Sequence, residues 1–339
     1  MRISLDAGAL CVEGNLRFGN YTFTKNLIET VAQYDSENEY FIYSFCQKPD
    51  WLKAKKLLHY QILLPKFLWL SARVSVEEIR HKKDLFLALN QAIPVSTSGR
   101  IISFTHGLSF YFYPQFYPDS YHALKDHLEP MVKRSSYIVT PSSRVKTEFK
   151  KLFPNYKNFV TVNYGVPFDM LGHESGLRKK YFMFVGMNHP IKNVEFLMKA
   201  FRKFKEIEKF REFKLYLVGN FKEFEDREGG IISSPSTNRI TLKKLYSRAT
   251  AYLTASFYES FNYPVLEALA QNCPVIGLNE AIIPEFKDYV NMAYSSTDFI
   301  NQMAEAAQGA KTKIKREDVL KRFTWKKYIS KLRELYLSL

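Results

Sequence analysis

Cysteine is scarce in this 339-residue sequence: Cys11, Cys46 and Cys273 are far apart and odd in number, which predicts neither a disulfide framework nor a zinc site. A reducing, cytoplasmic setting is therefore expected. No run of about 18 apolar residues exists to span a bilayer, and the opening MRISLDAGALCVEG lacks the continuous apolar core of a signal peptide. The expected protein is soluble or only peripherally attached to a membrane, at its cytoplasmic face. Low-complexity tracts and fixed-period repeats are missing too, which excludes a disordered chain and a solenoid. Six of the seven histidines, all but His106, show no metal-ligand spacing. Gly14 and Gly19 do not fit the G-x-G-x-x-G dinucleotide fingerprint. Acidic residues are in deficit, 34 against 49 basic ones, for a net charge of +15. Such an excess suits a polyanion: nucleic acid, an anionic bilayer or a phosphorylated substrate. It is spread evenly, however. Residues 1–165 carry 21 basic and 14 acidic side chains, and the rest carry 28 and 20. That evenness argues against a basic arm and against nucleic acid as the partner.

What the sequence does contain is an alternation of short apolar runs with amphipathic helical stretches, the pattern of parallel sheets covered by helices. At 339 residues it exceeds the roughly 250–300 at which single cores stop growing, so two doubly wound α/β domains are expected. The first, residues 1–171, holds the strands ISLDA, EYFIYSF, DLFLAL, RIISFTH, YIVTPS and FVTVNYGV, and helices over 21–34, within 120–133, and after Ser142 or Ser143 as cap. The polar stretch GHESGLRKK (172–180) reads as a linker. The second, 181–322, alternates YFMFVGM, a helix, FKLYLVG, a helix capped by Thr241, AYLTAS, VLEALAQN and PVIGL. Phe323, Trp325, Tyr328, Ile329, Leu332 and Tyr336 make an apolar stripe at helical spacing, expected to pack 323–339 back on the first domain. Ligands of such sheets sit beyond the carboxyl ends of the strands, in the cleft expected between the domains.

One such end carries FYESFNYPVLEALAQNCPVI (257–276). Pro264 suits the first residue of a helix, where its fixed dihedral fits and its missing N–H is no loss. The N–H groups of Asn262, Tyr263, Val265 and Leu266 then point out of the helix start towards an anion. Glu267 is placed in the first turn, where it can accept hydrogen bonds from a diol, and Glu259 in the loop before it. Asn272 and Pro274 end the helix. The plain alternative is a helix-stabilising Glu267 and a solvated Glu259.

This stretch resembles the signature of retaining glycosyltransferase family 4, of GT-B fold, with two glutamates separated by seven residues. The resemblance extends to YFMFVGMNHPIKN (181–193), TLKKLYSRATAYLTAS, RIISFTHGLSFYFYPQFYP (100–118), PSSRVKTEFKKLFP with VNYGV, and RFTW, in the family's order over most of the chain. It implies two Rossmann-like domains facing each other across a cleft, and no catalytic metal or other cofactor beside the nucleotide-sugar substrate. It implies Glu259 near the donor sugar's anomeric carbon, Glu267 on the ribose hydroxyls, and the backbone around Ser260, Phe261, Asn262 and Tyr263 on sugar and diphosphate. Ser260 and Asn262 stand where the family often has glycine, and Tyr263 where an aliphatic residue is common.

The same resemblance implies Lys192 as a cation on the leaving diphosphate and Gly186, where its loop opens, as a donor-binding residue; Ile191 stands where the family commonly adds an Arg. It implies His106 on the donor sugar, with Gly107 in place of the family's acid. It implies Gly14 and Gly19, in the loop 13–21, beside diphosphate and acceptor. By themselves Lys192 reads as a surface lysine, His106 as a structural histidine and the glycines as an ordinary strand-to-helix turn. WLKAKKLLHYQILLPKFLWL (51–70) interleaves Lys53, Lys55, Lys56 and Lys66 with apolar residues and suits an anionic membrane interface, or a core segment with a solvated edge.

The expected activity is thus transfer of a hexose, with mannose and a GDP-linked donor favoured by resemblance, to a glycan or lipid-linked acceptor in surface polysaccharide or lipopolysaccharide synthesis. A nucleotide-sugar epimerase or hydrolase of the same fold, and a non-catalytic paralogue that binds a partner, remain open. Contacts that select the base are expected near Ser233 and Ser234.

Overall fold

The computed structural model of the chain describes all residues except 13, 15–18, 173, 175, 236, 311, 312, 314 and 315. Contacts divide it into two units, Met1–Gly165 with Thr324–Leu339, and Val166–Phe323.

Unit 1 contains β1 (Arg2–Asp6), β2 (Glu39–Ser44), β3 (Leu58–Ile62), β4 (Leu85–Ala88), β5 (Arg100–Phe104), β6 (Tyr137–Thr140) and β7 (Phe159–Thr161). They form one sheet in the order β3-β2-β1-β4-β5-β6-β7, every pair parallel. Parallel strands need crossovers that cover the sheet, so Ile3, Leu5, Ile42, Leu85, Leu87 and Ile102 are all fully buried. The strand order reverses between β1 and β4, and there the Asn90 amide donates to Asp6 at 3.1 Å. Burial raises the Asp6 carboxyl above its ordinary value, against the hydrogen bonds from Gly8 and Asn90.

The terminal helix Trp325–Leu337 starts on Thr324, whose hydroxyl accepts from Lys327 N–H at 3.1 Å. It buries Trp325, Tyr328, Ile329, Leu332, Leu335 and Tyr336. Phe23, on the helix Gly19–Tyr34, lies 6.3 Å from the Trp325 ring and 6.0 Å from Tyr328. Gly165 is needed beneath this helix, because a Cβ there would stand 2.5 Å from Trp325 N.

Unit 2 contains β8 (Lys179–Val185), β9 (Lys214–Val218), β10 (Ile231–Ser234), β11 (Ala249–Thr254), β12 (Val275–Leu278) and β13 (Asn291–Ala293). Their order is β10-β9-β8-β11-β12-β13, again all parallel, with the reversal between β8 and β11. Phenylalanines fill one side of this core: Phe204 stacks on Phe210 at 4.5 Å and meets Phe182 and Phe213 edge-on.

Several local expectations change. The cap of helix Arg239–Arg248 is Asn238, whose side chain accepts from Thr241 N–H; Thr241 itself is not the cap. Residues 120–133 form two short helices, Tyr121–Asp126 and Leu128–Arg134. The stretch 51–70 is no single amphipathic segment: Lys53, Lys55 and Lys56 precede β3, while Lys66 and the exposed apolar residues follow it. Cys11 and Cys46 are joined in a disulfide, Cα atoms 5.4 Å apart, correcting the expectation that the cysteines stay unpaired. Both follow neighbouring strands, β1 and β2, whose parallel pairing closes a 35-residue separation. Of the loop 13–21, residues 13 and 15–18 lie outside the described residues, as do 173 and 175 of the linker.

Candidate functional site

β8 and β11 flank the point where the strand order of unit 2 reverses, and the loops after them diverge from a shared edge. These are the loops that carry Lys192 and Glu259. Phe257 N–H donates to the Ile191 carbonyl at 2.9 Å, and the Asn193 amide to the Ala255 carbonyl at 3.2 Å, lacing the two loops together. Lys192 Nζ then lies 2.7 Å from Glu259 Oε1, and Ser256 Oγ donates to the same oxygen at 2.7 Å. Glu259 is buried, whereas the Lys192 side chain retains 21% of its exposure. A buried carboxylate needs such partners to remain charged, and an ammonium with three donors has spent one of them here.

Gly186 opens the Lys192 loop, its N–H donating to the Val218 carbonyl at 3.2 Å. Gly219 crosses against it with φ +143°, and a Cβ there would fall 2.3 Å from the Gly186 oxygen. Two glycines thus let the ends of β8 and β9 approach; the second was visible in FKLYLVG but not singled out.

After Glu259 the chain turns through Asn262, whose φ is +66°. Asn262 caps the helix Tyr263–Ala270, so Pro264 is its second residue, not its first, and Glu267 lies beyond the first turn. The Asn262 side chain accepts from Val265 N–H at 3.4 Å, and its carbonyl accepts from Val265 and Leu266. Those two amides, expected to face an anion, are therefore capped within the chain. The Asn262 amide group also reaches Thr254 Oγ1 and the Ala281 carbonyl. Phe261 and Tyr263 are buried, and the Phe261 ring packs against Tyr263, Phe286 and Phe323, while Ser260 is half-buried. The helix ends as expected, with Asn272 at φ +58° and a Cys273 N–H to Ala268 carbonyl bond of 2.8 Å that closes a Schellman motif.

Glu267 is 4% exposed. Its Oε1 accepts from Arg239 Nη2 at 2.7 Å and its Oε2 from the Tyr246 hydroxyl at 3.2 Å. Arg239 also donates twice to Asp169 Oδ1, at 2.9 and 3.1 Å. Burial pushes the Glu267 carboxyl up, with the guanidinium and the tyrosine hydroxyl opposing it. Two of the carboxylate's roughly four lone-pair directions are filled, which leaves it able to accept from a diol. Arg239, Asp169, Tyr246 and Ser256 escaped the sequence reading, and nothing local to them signals their meeting.

In unit 1, His106 follows β5. Its Nε2 lies 2.7 Å from the Leu89 carbonyl, an acceptor only, so Nε2 carries the proton. Nδ1, 3.1 Å from the Tyr164 hydroxyl, then accepts. Burial pushes the imidazole down to about 4, so the ring is neutral. Both nitrogens are thus engaged within unit 1. For Gly14, at φ +40°, and Gly19, the first residue of its helix, no atom of the described residues beyond their own neighbours in the chain lies within 4 Å of where a Cβ would stand. Unit 2 therefore assembles Gly186, Lys192, Glu259, Ser260, Phe261, Asn262 and Tyr263 around one switch point, with Glu267 on the adjoining helix. His106, Gly14 and Gly19 belong to unit 1.

Residues 179–310 match the family model described as glycosyl transferases group 1. The O-antigen chain mannosyltransferase B of Escherichia coli is 25% identical over 250 residues, 66% of this chain and 65% of that protein. The O-antigen chain mannosyltransferase RfbU of Salmonella typhimurium is 26% identical over 224 residues, 61% of this chain and 59% of that protein. The chain thus spans just under two thirds of these curated relatives. The structure of sucrose-phosphate synthase from Thermosynechococcus elongatus is similar with a TM-score of 0.78, covering 99% of this chain and 98% of that one at 14% identity, a likeness of fold alone.

Proposed function

We propose that this chain, a group 1 glycosyltransferase through residues 179–310 and of GT-B fold, moves a hexose from a nucleotide sugar to a glycan or lipid-linked acceptor with retention of configuration. The observation that carries the reading is the Lys192–Glu259 ion pair of 2.7 Å, on laced loops at the switch point inside the matched segment. Breaking the bond between the anomeric carbon and the diphosphate oxygen leaves negative charge on the phosphate and positive charge on the sugar. Lys192 stabilises the first and Glu259 the second, a division of labour by fixed charges in a partly desolvated site. The acceptor hydroxyl attacks from the face the diphosphate leaves, and its proton passes to a diphosphate oxygen. Glu267 receives the ribose hydroxyls on a carboxylate already oriented by Arg239 and Tyr246. The reaction needs no metal in this scheme, since Lys192 supplies the charge. Both curated relatives are named mannosyltransferases of O-antigen chains, which favours mannose and a role in O-antigen synthesis; a GDP-linked donor and work at the cytoplasmic face complete the proposal.

Thermal-shift measurements with GDP, UDP, ADP and CDP test the donor half. A diphosphate at 100 times its dissociation constant stabilises by about 2.7 kcal/mol, so the preferred base stands out. Transfer from the matching nucleotide sugar should then fall by about 10²–10³ in kcat for Lys192→Ala and Glu259→Ala. Unimpaired transfer by Glu259→Ala would sink the assignment. Donor consumption that is equally rapid without acceptor would favour a hydrolase or epimerase.

A further inference from the structure

Arg239 is fixed more firmly than the orientation of one carboxylate requires. It opens the helix Arg239–Arg248, whose backbone start is set by the Asn238 cap. Its Nε hydrogen and one Nη2 hydrogen go to Asp169 Oδ1, and the other Nη2 hydrogen goes to Glu267 Oε1. Both carboxylates share one support. Asp169 lies in the turn Phe168–Met170, and the Gln271 amide, 1% exposed, donates to the carbonyls of Met170 at 2.7 Å and Gly172 at 2.9 Å. Gln271 directly follows the helix Tyr263–Ala270, one turn beyond Glu267. A guanidinium has five N–H donors, and three are spent in this way. Among the described residues the two hydrogens of Nη1 meet no acceptor, and Nη1 is not one of the sealed, unpartnered atoms of this core.

The end of a guanidinium offers two parallel N–H groups, one on Nη1 and one on Nη2, which a carboxylate commonly takes with both of its oxygens. Glu267 fills the Nη2 half alone, because its Oε2 accepts from the Tyr246 hydroxyl at 3.2 Å. The Nη1 half is a slot, and an atom that fills it stands beside Oε1. Nη1 asks that atom for a lone pair, and the carboxylate beside it asks for a proton. A phosphate or carbonyl oxygen would face Oε1 with no proton to give. An ammonium or amide N–H has no lone pair for Nη1. The charge balance points the same way, since two carboxylates around one guanidinium leave the cluster negative and unsuited to a diphosphate. A hydroxyl satisfies both neighbours at once.

We propose that Arg239 is a specificity-determining residue of the donor site: its Nη1 donates to the oxygen of one ribose hydroxyl while Glu267 accepts the proton of the same group. The inference rests on the reading of Glu267 as the ribose carboxylate and adds a second, opposite contact to it. Its consequence is selection between a nucleoside diphosphate and the deoxy form. Loss of that hydroxyl leaves a guanidinium N–H and a carboxylate lone pair without partners together, the situation in which a site built around a hydroxyl rejects the analogue that lacks it.

Isothermal titration of the full chain tests this with ligands alone and no sugar transfer. The probes are GDP, UDP, and the 2′-deoxy and 3′-deoxy forms of each, every ribonucleotide being compared with its own deoxy forms. One deoxy form should bind at least about tenfold more weakly than the ribonucleotide. In Arg239→Lys, which keeps the charge and loses the fork, that ratio should shrink to about threefold or less. In Glu267→Ala a preference of about threefold should persist, and it should vanish when Arg239→Lys is added. Melting curves of each variant show that the titrated chain is folded. Equal binding of ribo and deoxy forms by the parent, as a slot that holds only water would give, overturns the proposal. So does a ratio untouched by Arg239→Lys, the result if the arginine only braces the fold. Loss of all preference in Glu267→Ala would mean that Arg239 acts solely by holding Glu267, and overturns it as well. Binding of no diphosphate at all would sink the donor reading together with this inference, whereas binding without discrimination sinks this inference alone.

Discussion

Arg239 is the residue through which stability and donor binding should be most clearly coupled. In Arg239→Ala the Glu267 carboxyl loses its 2.7 Å ion pair while remaining 4% exposed, with the Tyr246 hydroxyl still donating to it. Breaking a buried pair on one side costs about 3–5 kcal/mol. Arg239 keeps 35% of its side-chain exposure, so screening lowers the figure to about 2–3 kcal/mol. The cost must depend on pH. Burial already raises the folded-state carboxyl, and removing the guanidinium raises it further. The folded state then holds a proton that the unfolded state has released, so stability falls as pH rises above the unfolded value near 4.3, by at most about 1.4 kcal/mol per pH unit. Melting curves from pH 4.5 to 8 should show the variant close to the parent at the acid end and about 4–12 °C lower at pH 8, since about 1 kcal/mol moves a unit of this size by about 2–4 °C. Arg239→Ala combined with Glu267→Gln should recover most of the loss. A single variant that melts like the parent across this range would refute the view that Glu267 depends on Arg239.

His106 should lend stability that is complete above pH 6.5 and lost as pH falls towards 4, because its folded-state value lies below the unfolded one; urea midpoints across that window should flatten in His106→Gln, and an unchanged slope would mean the ring is not the buried neutral group described. Ellman titration of the denatured, unreduced chain should count one thiol, Cys273, and three after reduction; three thiols without reductant would contradict the Cys11–Cys46 bond. Asn262→Gly should be more stable than Asn262→Ala by about 1 kcal/mol in chemical denaturation, since both lose the side-chain cap but only alanine is strained at φ +66°; the opposite order would mean the turn relaxes to an ordinary helix start.

The features that could be read from sequence are those written by neighbours in the chain. β11 is buried along its whole length, so AYLTAS carries no charged residue, and the loop that carries Glu259 could be placed at its carboxyl end. The helix stop at Asn272 needs only three adjacent residues, and the terminal stripe needs only helical spacing. β10 and β13 have four and three residues at the edges of their sheet, too short to show a period, and went unread. Partners were illegible wherever sheet order decides them. Cys11 and Cys46 meet because β1 and β2 pair with Asp6 opposite Tyr43. Glu267 meets Arg239 because the helices Arg239–Arg248 and Tyr263–Ala270 bring side chains 28 positions apart onto one another. His106 lost both nitrogens to Leu89 and Tyr164, which follow β4 and β7.

The left-handed residue of the Glu259 turn ties these levels together. The family that this stretch resembles often has glycine at positions 260 and 262, and loss of both raises the question whether the close turn between strand and helix survives. Position 262 does require a positive φ, and asparagine is the side chain that tolerates it best after glycine. Ser260 is not among the residues with positive φ, so serine there costs the backbone nothing. Asparagine also adds what glycine cannot: a cap on Val265 N–H and two bonds from its amide group, to Thr254 and Ala281. The substitution therefore keeps the path of the turn and stiffens it. It does so by using inside the chain two amides that a glycine turn would leave to a ligand only if it failed to close the helix, because the Asn262 carbonyl that accepts from Val265 and Leu266 is backbone. On the proposed reading, anion binding at this turn then falls chiefly to Lys192, whose loop is laced to it by the Phe257–Ile191 and Asn193–Ala255 hydrogen bonds.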